Sequence, residues 1–164
     1  MDQKIPFPLL YQEVSRIIGN KTPLKGDCGQ LCEKACCRGG HEAGMELFPG
    51  EPSPLRQQSE KGGRLALCGG NCHRESRPLA CKIFPFFPVL EKDGTVTAQL
   101  DPRAFFICPI AAHSEKVQFD KRFLHRVKKA GELLSQREEC RLYMEKVSQE
   151  IRTLNALYRQ QPSD

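Results

Sequence analysis

The sequence predicts an irregular α+β fold, in which a cysteine-rich, metal-stapled loop region with a small β-hairpin is flanked by one N-terminal and two C-terminal α-helices. Apolar residues recur at helical spacing near both ends of the chain. Between them, residues 20–110 contain 11 of the 13 glycines, 9 of the 12 prolines and 8 of the 9 cysteines. Glycine and proline both disfavour regular helices. With 164 residues, the chain is predicted to be a single domain, residues 1–164.

The first predicted element is a short amphipathic helix within residues 5–18, which Gly19 and Asn20 stop. Its apolar positions are Phe7, Leu10, Tyr11, Val14, Ile17 and Ile18. The next is a hairpin of residues 86–90 and 95–100, with Asp93 and Gly94 in the turn. Pro85 and Pro88 would confine its first strand to a sheet edge. This is the one clear strand signal in the sequence.

Residues 114–160 are predicted to form a helical hairpin. Apolar residues from Phe123 to Leu134 follow one helical face, and a break follows near Gly131 to Ser135. Ser135 and Glu138 fit a capping box that would begin the last helix. Cys140 lies on the apolar stripe of that helix and is predicted to be a core residue.

Residues 26–110 form the predicted metal-binding region. Large apolar side chains are sparse in residues 26–82, whereas ordering a chain costs roughly 1.5 kcal/mol per residue in conformational entropy. A structural thiolate metal site contributes on the order of 10–16 kcal/mol. The nine cysteines are odd in number and form about 5% of the chain, below the roughly 8–10% of small disulfide scaffolds. We therefore predict metal ligation rather than disulfides.

Eight cysteines suffice for two four-coordinate sites. Three residues separate Cys28 from Cys32, a gap short enough for both thiolates to bind one ion. Adjacent side chains rarely point the same way, so Cys36 and Cys37 serve different sites, or one is a ligand and the other is reactive. The predicted ligands are Cys28, Cys32, Cys36, Cys37, Cys68, Cys72, Cys81 and Cys108.

Other polar side chains are predicted to support the site. His41 and His73 are alternative ligands. Glu51 is predicted to be a solvated turn carboxylate; hydrogen bonds from a cysteine-bearing loop, or an ion pair with Arg77, are the alternatives. Arg77 and the proline after it would fix the chain that enters Cys81. Five basic residues are positioned in the sequence to balance the negative thiolates: Arg38, Arg64, Arg74, Arg77 and Lys82.

The cysteine pattern resembles that of a known family. It combines Cys28-x3-Cys32-x3-Cys36-Cys37, Leu47-Phe48-Pro49-Gly50-Glu51, Cys68-x3-Cys72, Arg77-Pro78-Leu79-Ala80-Cys81, Phe84-Pro85 and Cys108-Pro109. Over residues 28–110 it resembles the YkgJ-like cysteine-cluster proteins, also described as a CxxCxxCC zinc- or iron-chelating domain family, with three-residue gaps here in place of two. The resemblance implies metal chelation but no common reaction, and related cysteine clusters occur in flagellin lysine methylases.

The predicted function is metal binding in a structural or electron-transfer role. Thiolates suit both zinc and iron; the almost all-cysteine set, the glycine-rich loops and the step from Cys108 to Pro109 favour a 4Fe–4S iron–sulfur cluster over Zn²⁺. The alternatives are a cluster-dependent protein-modification enzyme of the methylase type and a redox sensor or metal-trafficking protein. The sequence gives little support to the enzyme alternative, because it contains no phosphate-binding loop, no GxSxG motif and no paired histidines of the zincin type.

The net charge of +5 and the pI of 8.7 are compatible with binding to nucleic acid, if the basic residues cluster on one face. Two four-thiolate centres of charge −2 each would lower the net charge to about +1. The basic penultimate helix is predicted to be solvated, so nucleic acid is not the expected partner, whereas a protein partner could dock on the C-terminal helices. Without a signal peptide or a long apolar run, the chain is predicted to be cytoplasmic and not membrane-bound. The pattern specifies neither oligomeric state nor substrate.

Overall fold

The computed structural model describes residues 5–38, 44–60, 62–70 and 72–159. Within these ranges the protein is an irregular α+β structure, which confirms the predicted fold class. Its α-helices are α1 (Phe7–Ile18), α2 (Cys28–Leu31), α3 (Leu79–Ile83), α4 (Pro109–Ala112), α5 (Lys121–Leu134) and α6 (Glu138–Arg159). Its strands are β1 (Gly44–Glu46), β2 (Gln57–Glu60), β3 (Gly63–Leu67), β4 (Phe86–Leu90) and β5 (Val96–Leu100).

The predicted N-terminal helix is confirmed as α1. Its buried side chains Leu10, Val14 and Ile18 repeat at three- and four-residue spacing and form one apolar face, which packs against α5. Gly19 ends the helix with φ +58°, and its N–H donates to Ser15 O over 2.8 Å. A residue with a side chain would be strained in this conformation, so glycine suits the stop.

The predicted hairpin is also confirmed. Strands β4 and β5 pair antiparallel from Phe86 opposite Leu100 to Leu90 opposite Val96, and Gly94 has φ +85° in the turn. Every side chain of β4 is buried, because α5 and α6 both pack on it. A Cβ atom at Gly131 of α5 would lie 2.4 Å from Pro88 Cβ, so glycine allows this close approach of helix and strand.

Two helices end the described chain, as predicted, but the capping box at Ser135 is wrong. Helix α6 begins at Glu138, and the Ser135 hydroxyl instead donates to Glu132 O of α5 over 2.9 Å. The reason is a tight turn after α5, in which the N–H groups of Gln136 and Arg137 donate to carbonyl groups of the last helical turn. This turn keeps the hydroxyl beside its own helix.

The main hydrophobic core lies between α1, α5, α6 and the β4–β5 hairpin. Phe48 is fully buried in it, with its ring stacked at 5.8 Å on Phe87 and edge-on at 5.0 Å to Tyr143. Cys140 is 0% exposed and belongs to this core, as predicted. Since Phe48 comes from the cysteine-rich region, that region is anchored to the helical core through its side chain.

A three-stranded antiparallel sheet of order β1–β3–β2 lies in the cysteine-rich region. This sheet was not predicted from the sequence. Strand β2 contains only Gln, Ser and Glu, and β1 and β3 both begin with glycine. None of the three therefore shows the alternation of apolar and polar residues that marks a strand. The sheet matters for the site because Cys68 directly follows β3. None of the helices in the described ranges is long and apolar enough to cross a membrane.

Candidate metal centre

The first two cysteines flank one helical turn. Helix α2 begins at Cys28, where the carboxylate of Asp27 accepts a hydrogen bond from Gly29 N over 3.0 Å and caps the helix. Cys32 ends it, and its N–H donates to Cys28 O. Residues four apart lie on the same side of a helix, so the turn presents both thiols together. Both side chains are half-buried.

Cys36 and Cys37 lie in a short 3-10 turn, residues 35–37. The two residues that precede this turn, Glu33 and Lys34, have positive φ angles of 51° and 56°. Residues with side chains adopt this conformation uncommonly. These two residues reverse the chain after Cys32 and bring the cysteine pair back towards it. Cys36 is exposed as a whole residue, although neighbouring groups bury part of its thiol, and Cys37 is half-buried.

Cys68 and Cys72 lie in the loop that follows β3. Gly70 in this loop has φ +82°, and a Cβ atom there would lie 2.9 Å from Cys37 O, so the loop packs directly on the turn of the cysteine pair. The Gly70 N–H donates to Cys68 Sγ over 3.4 Å. Such N–H groups pointing at sulfur support thiolate ligands in metal sites.

The last two cysteines come from short helices. Cys81 lies in the middle of α3, and Cys108 directly precedes α4. Cys108 is 7% exposed and belongs to a small apolar cluster with Ile110 and two alanines, against which Cys28 and Cys32 pack. This contact joins the two ends of the cysteine-rich region.

All eight predicted ligands line two adjoining cavities. The larger has a volume of about 210 Å³, and the cysteines on its wall are Cys28, Cys32, Cys36, Cys37, Cys81 and Cys108. The smaller has a volume of about 70 Å³, and its cysteines are Cys36, Cys37, Cys68, Cys72 and Cys81. All nine cysteines are free thiols. Among the described residues, no three Cys, His, Asp or Glu side chains are yet gathered closely enough to hold a metal ion.

Four of the thiols in these cavities, those of Cys28, Cys36, Cys72 and Cys81, have raised pKa values. Burial, followed by the neighbouring Cys37, raises the pKa of Cys36 to about 12, and burial followed by Cys72 raises that of Cys81 to about 12. Burial also raises the pKa of Cys28. Without a cation these groups are protonated near neutral pH, whereas a metal ion would hold them as thiolates.

Arg77 lies between the two cavities and lines both. Its guanidinium lies next to Cys72, Cys37 and Cys81; burial lowers its pKa, but these thiols outweigh burial and raise it. Its buried Nε has no hydrogen-bond acceptor among the described residues. A buried N–H without an acceptor, lying among sulfur atoms, fits a metal site. With metal bound, a thiolate or an inorganic sulfide could accept the hydrogen bond from this N–H. The donor set and this orphaned donor therefore both fit a thiolate metal centre.

The other candidate residues are distributed differently. Arg74 and Lys82 line the larger cavity, but Arg38 pairs with Glu33, and Arg64 donates to Glu51 O over 2.8 Å. Two of the five predicted charge-balancing residues are therefore bound elsewhere. His73 is exposed and precedes a 3-10 turn, and His41 lies outside the described residues.

Glu51 differs from its predicted role as a solvated carboxylate. It is 5% exposed and accepts two backbone hydrogen bonds, from Leu79 N over 2.6 Å and from Phe48 N over 2.9 Å. The first donor begins helix α3, which carries Cys81, so the alternative of hydrogen bonds from a cysteine-bearing segment is correct. Burial raises the pKa of Glu51, and the two N–H donors oppose that rise. The Phe-Pro-Gly-Glu turn indicated the bond from Phe48 N, whose donor lies three residues before Glu51.

Replacement of Glu51 by Ala is expected to destabilise the protein by on the order of 1–3 kcal/mol for each of the two buried N–H groups it leaves unpaired. Glu51→Gln restores one acceptor and should recover part of the loss, and Glu13→Ala, on the partly exposed surface of α1, is the control. Urea unfolding at pH 7 measures all three. A loss below about 0.5 kcal/mol for Glu51→Ala, the range of ordinary surface substitutions, would contradict the assigned role.

The fold and the site define an irregular α+β protein with two adjoining cavities walled by thiols. Comparison of the chain with models of known families, with curated proteins and with solved structures finds no match to any of them. The function is therefore argued from the residues of the site.

Proposed function

We propose that the protein binds metal through its eight central cysteines, in two neighbouring four-thiolate centres with a structural or electron-transfer role. The observation that carries the proposal is the convergence of cysteines from Cys28 to Cys108 on two adjoining cavities. A buried free thiol is common, but eight cysteines from five separate segments around one pair of cavities exceed what packing requires. The resemblance to the YkgJ-like proteins points to the same chemistry.

The first centre is assigned to Cys28, Cys32, Cys36 and Cys108. Cys28, Cys32 and Cys108 meet at one small apolar cluster and line the larger cavity. Cys36 lies on the same wall, and among its charged-group neighbours are both Cys28 and Cys32. These four thiols suffice for a tetrahedral site without Cys68 or Cys72.

The second centre is assigned to Cys37, Cys68, Cys72 and Cys81. All four line the smaller cavity. Cys81 interacts electrostatically with the other three, and the Gly70 contact fixes the loop of Cys68 and Cys72 against the backbone of Cys37. In this assignment the adjacent cysteines 36 and 37 belong to different centres, one of the two alternatives that the sequence left open.

Each centre would hold a 4Fe–4S cluster or a Zn²⁺ ion. Thiolates bind both, and the almost all-cysteine donor set favours the cluster, as in the sequence analysis. A bound cluster would supply one-electron transfer, and a bound zinc ion would supply stability alone. The protein residues contribute the thiolates, the Gly70 N–H to Cys68 and the positive charges of Arg74, Arg77 and Lys82 at the cavity walls.

Anaerobic purification, elemental analysis, sulfide determination and a visible spectrum test the proposal. Two centres predict either about eight iron and eight sulfide with brown colour, or about two zinc without colour. Cys36→Ser and Cys37→Ser should each empty a different centre, whereas Cys140→Ala, a change in the helical core, should leave both loaded. A protein that folds fully without metal and exposes eight reactive thiols would overturn the proposal.

A further inference from the structure

Arg77 has an arrangement that charge balance alone does not explain. Its side chain is only half-buried, yet its Nε atom is fully buried and, in the described part of the chain, unpaired. An unpaired buried donor costs on the order of 1–3 kcal/mol. Arg137 and Arg152 also have an unpaired buried Nε, but neither lines the two cavities. Arg77 lines the smaller cavity together with Cys37, Cys72 and Cys81, three of the four ligands assigned to the second centre.

The chain places Arg77 where it can act on these ligands. It directly precedes Pro78, which caps the N-terminus of α3, and Cys81 lies in that helix. Pro78 is buried and fixes the backbone next to Arg77. Arg77 and Cys72 interact with each other, but the Nε atom of Arg77 has no partner among the described residues. A small movement of the sulfur atoms towards a shared metal would change their positions relative to the guanidinium.

We propose that Arg77 is a positioning residue of the second centre, and that its Nε–H donates to a sulfur atom of that centre when metal is bound. The proposal rests on the proposed function. The acceptor is a thiolate sulfur in a zinc site, or a thiolate or inorganic sulfide in an iron–sulfur cluster. In either case the guanidinium orients the ligands and offsets part of the negative charge of the centre.

The other cations near the thiols do not share this role. Arg74 donates to Lys21 O over 3.0 Å, and Lys82 interacts with Glu75 O over 3.2 Å. Both therefore have partners, and both line the larger cavity only. Arg77 is the one basic residue on the wall of the smaller cavity among the described residues.

The test uses the full-length protein, stripped of metal and reloaded with Zn²⁺ alone, which suits four-thiolate sites whatever metal is native. Zn²⁺ affinities at the two centres are measured by competition with a chromophoric chelator in the wild type, Arg77→Gln, Arg77→Lys and Arg16→Gln. Arg16→Gln is the charge-matched control, because Arg16 is exposed on α1, pairs with Glu13 and lines neither cavity. Thermal unfolding of the metal-free proteins is recorded in parallel.

Arg77→Gln is expected to weaken Zn²⁺ at one of the two centres by about 10- to 100-fold, as losses of such supporting hydrogen bonds do, and to leave the other centre unchanged. Arg77→Lys keeps the charge without the guanidinium geometry and should recover only part of the affinity. Arg16→Gln should leave both affinities unchanged, and metal-free Arg77→Gln should be no less stable than the metal-free wild type, because it loses an unpaired buried donor.

Equal affinities in Arg77→Gln and the wild type would overturn the positioning role, and so would full recovery in Arg77→Lys, which would reduce Arg77 to a point charge. Equal weakening of both centres, or a lower unfolding temperature of metal-free Arg77→Gln, would assign Arg77 to the fold and also overturn the proposal. Failure of the wild type to bind two Zn²⁺ ions would instead refute the proposed function itself.

Discussion

Removal of the metal that we propose for the cysteine centres is expected to unfold the cysteine-bearing loops while the helical core stays folded. Helix α2 is only four residues long, the 3-10 turn of Cys36 and Cys37 only three, and neither has a buried residue, so both are too short to persist alone. A structural thiolate site contributes on the order of 10–16 kcal/mol, more than the whole stability of a typical domain. In contrast, α1, α5, α6 and the β4–β5 hairpin share a core that includes none of the eight ligands.

Hydrogen exchange followed by mass spectrometry, before and after chelation, measures this effect for each segment. Amides of residues 28–38 and 64–70 should lose their protection, whereas amides of α3, α5, α6 and β4 should keep most of theirs, since Leu79 and Ile83 of α3 are buried in the helical core. Loss of protection throughout the chain would show that the metal holds the entire fold. Unchanged protection in the cysteine-bearing segments would show that they are stable without it.

Replacement of Phe48 by Ala is expected to cost about 3–5 kcal/mol of unfolding free energy, the usual loss when a large buried aromatic ring is truncated. The ring is 0% exposed and contacts Phe87 and Tyr143. Because its neighbours come from a strand and a long helix, they have little freedom to close the cavity. Urea unfolding of the metal-loaded protein measures the loss.

Leu142→Ala is the matched control for this prediction. Leu142 precedes Tyr143 in α6 but is 52% exposed, so its truncation should change stability by no more than about 0.5 kcal/mol. A loss in Phe48→Ala as small as that of the control would contradict the view that Phe48 ties the cysteine-rich region to the helical core.

Local patterns in the sequence predicted the elements that are long or strongly periodic. The apolar repeat from Leu10 to Ile18 predicted α1, and the Asp93-Gly94 turn between two apolar stretches predicted the β4–β5 hairpin. These signals are reliable because the residues that produce them lie within a few positions of each other. The buried position of Cys140 followed from the same periodicity in α6.

The features that escaped prediction depend on residues distant in the chain. Glu51 is buried because Leu79, 28 positions later, donates to it, and no local pattern contains that partner. The capping box at Ser135 had the right residue types, but a tight turn directed the hydroxyl back to α5. Likewise, spacing identified the cysteines, but only the fold shows which of them share a cavity.

The packing of Cys108 against Cys28 and Cys32 has a consequence for how the chain matures as it leaves the ribosome. Cys28 emerges early but lacks its neighbour until Cys108 has been synthesised, and by then Cys68, Cys72 and Cys81 are already outside. Joining segments so far apart carries a loop-closure cost that grows only slowly with length. In the proposed assignment the second centre can form once Cys81 has emerged, whereas Cys28, Cys32 and Cys36 wait for their fourth partner until Cys108 follows.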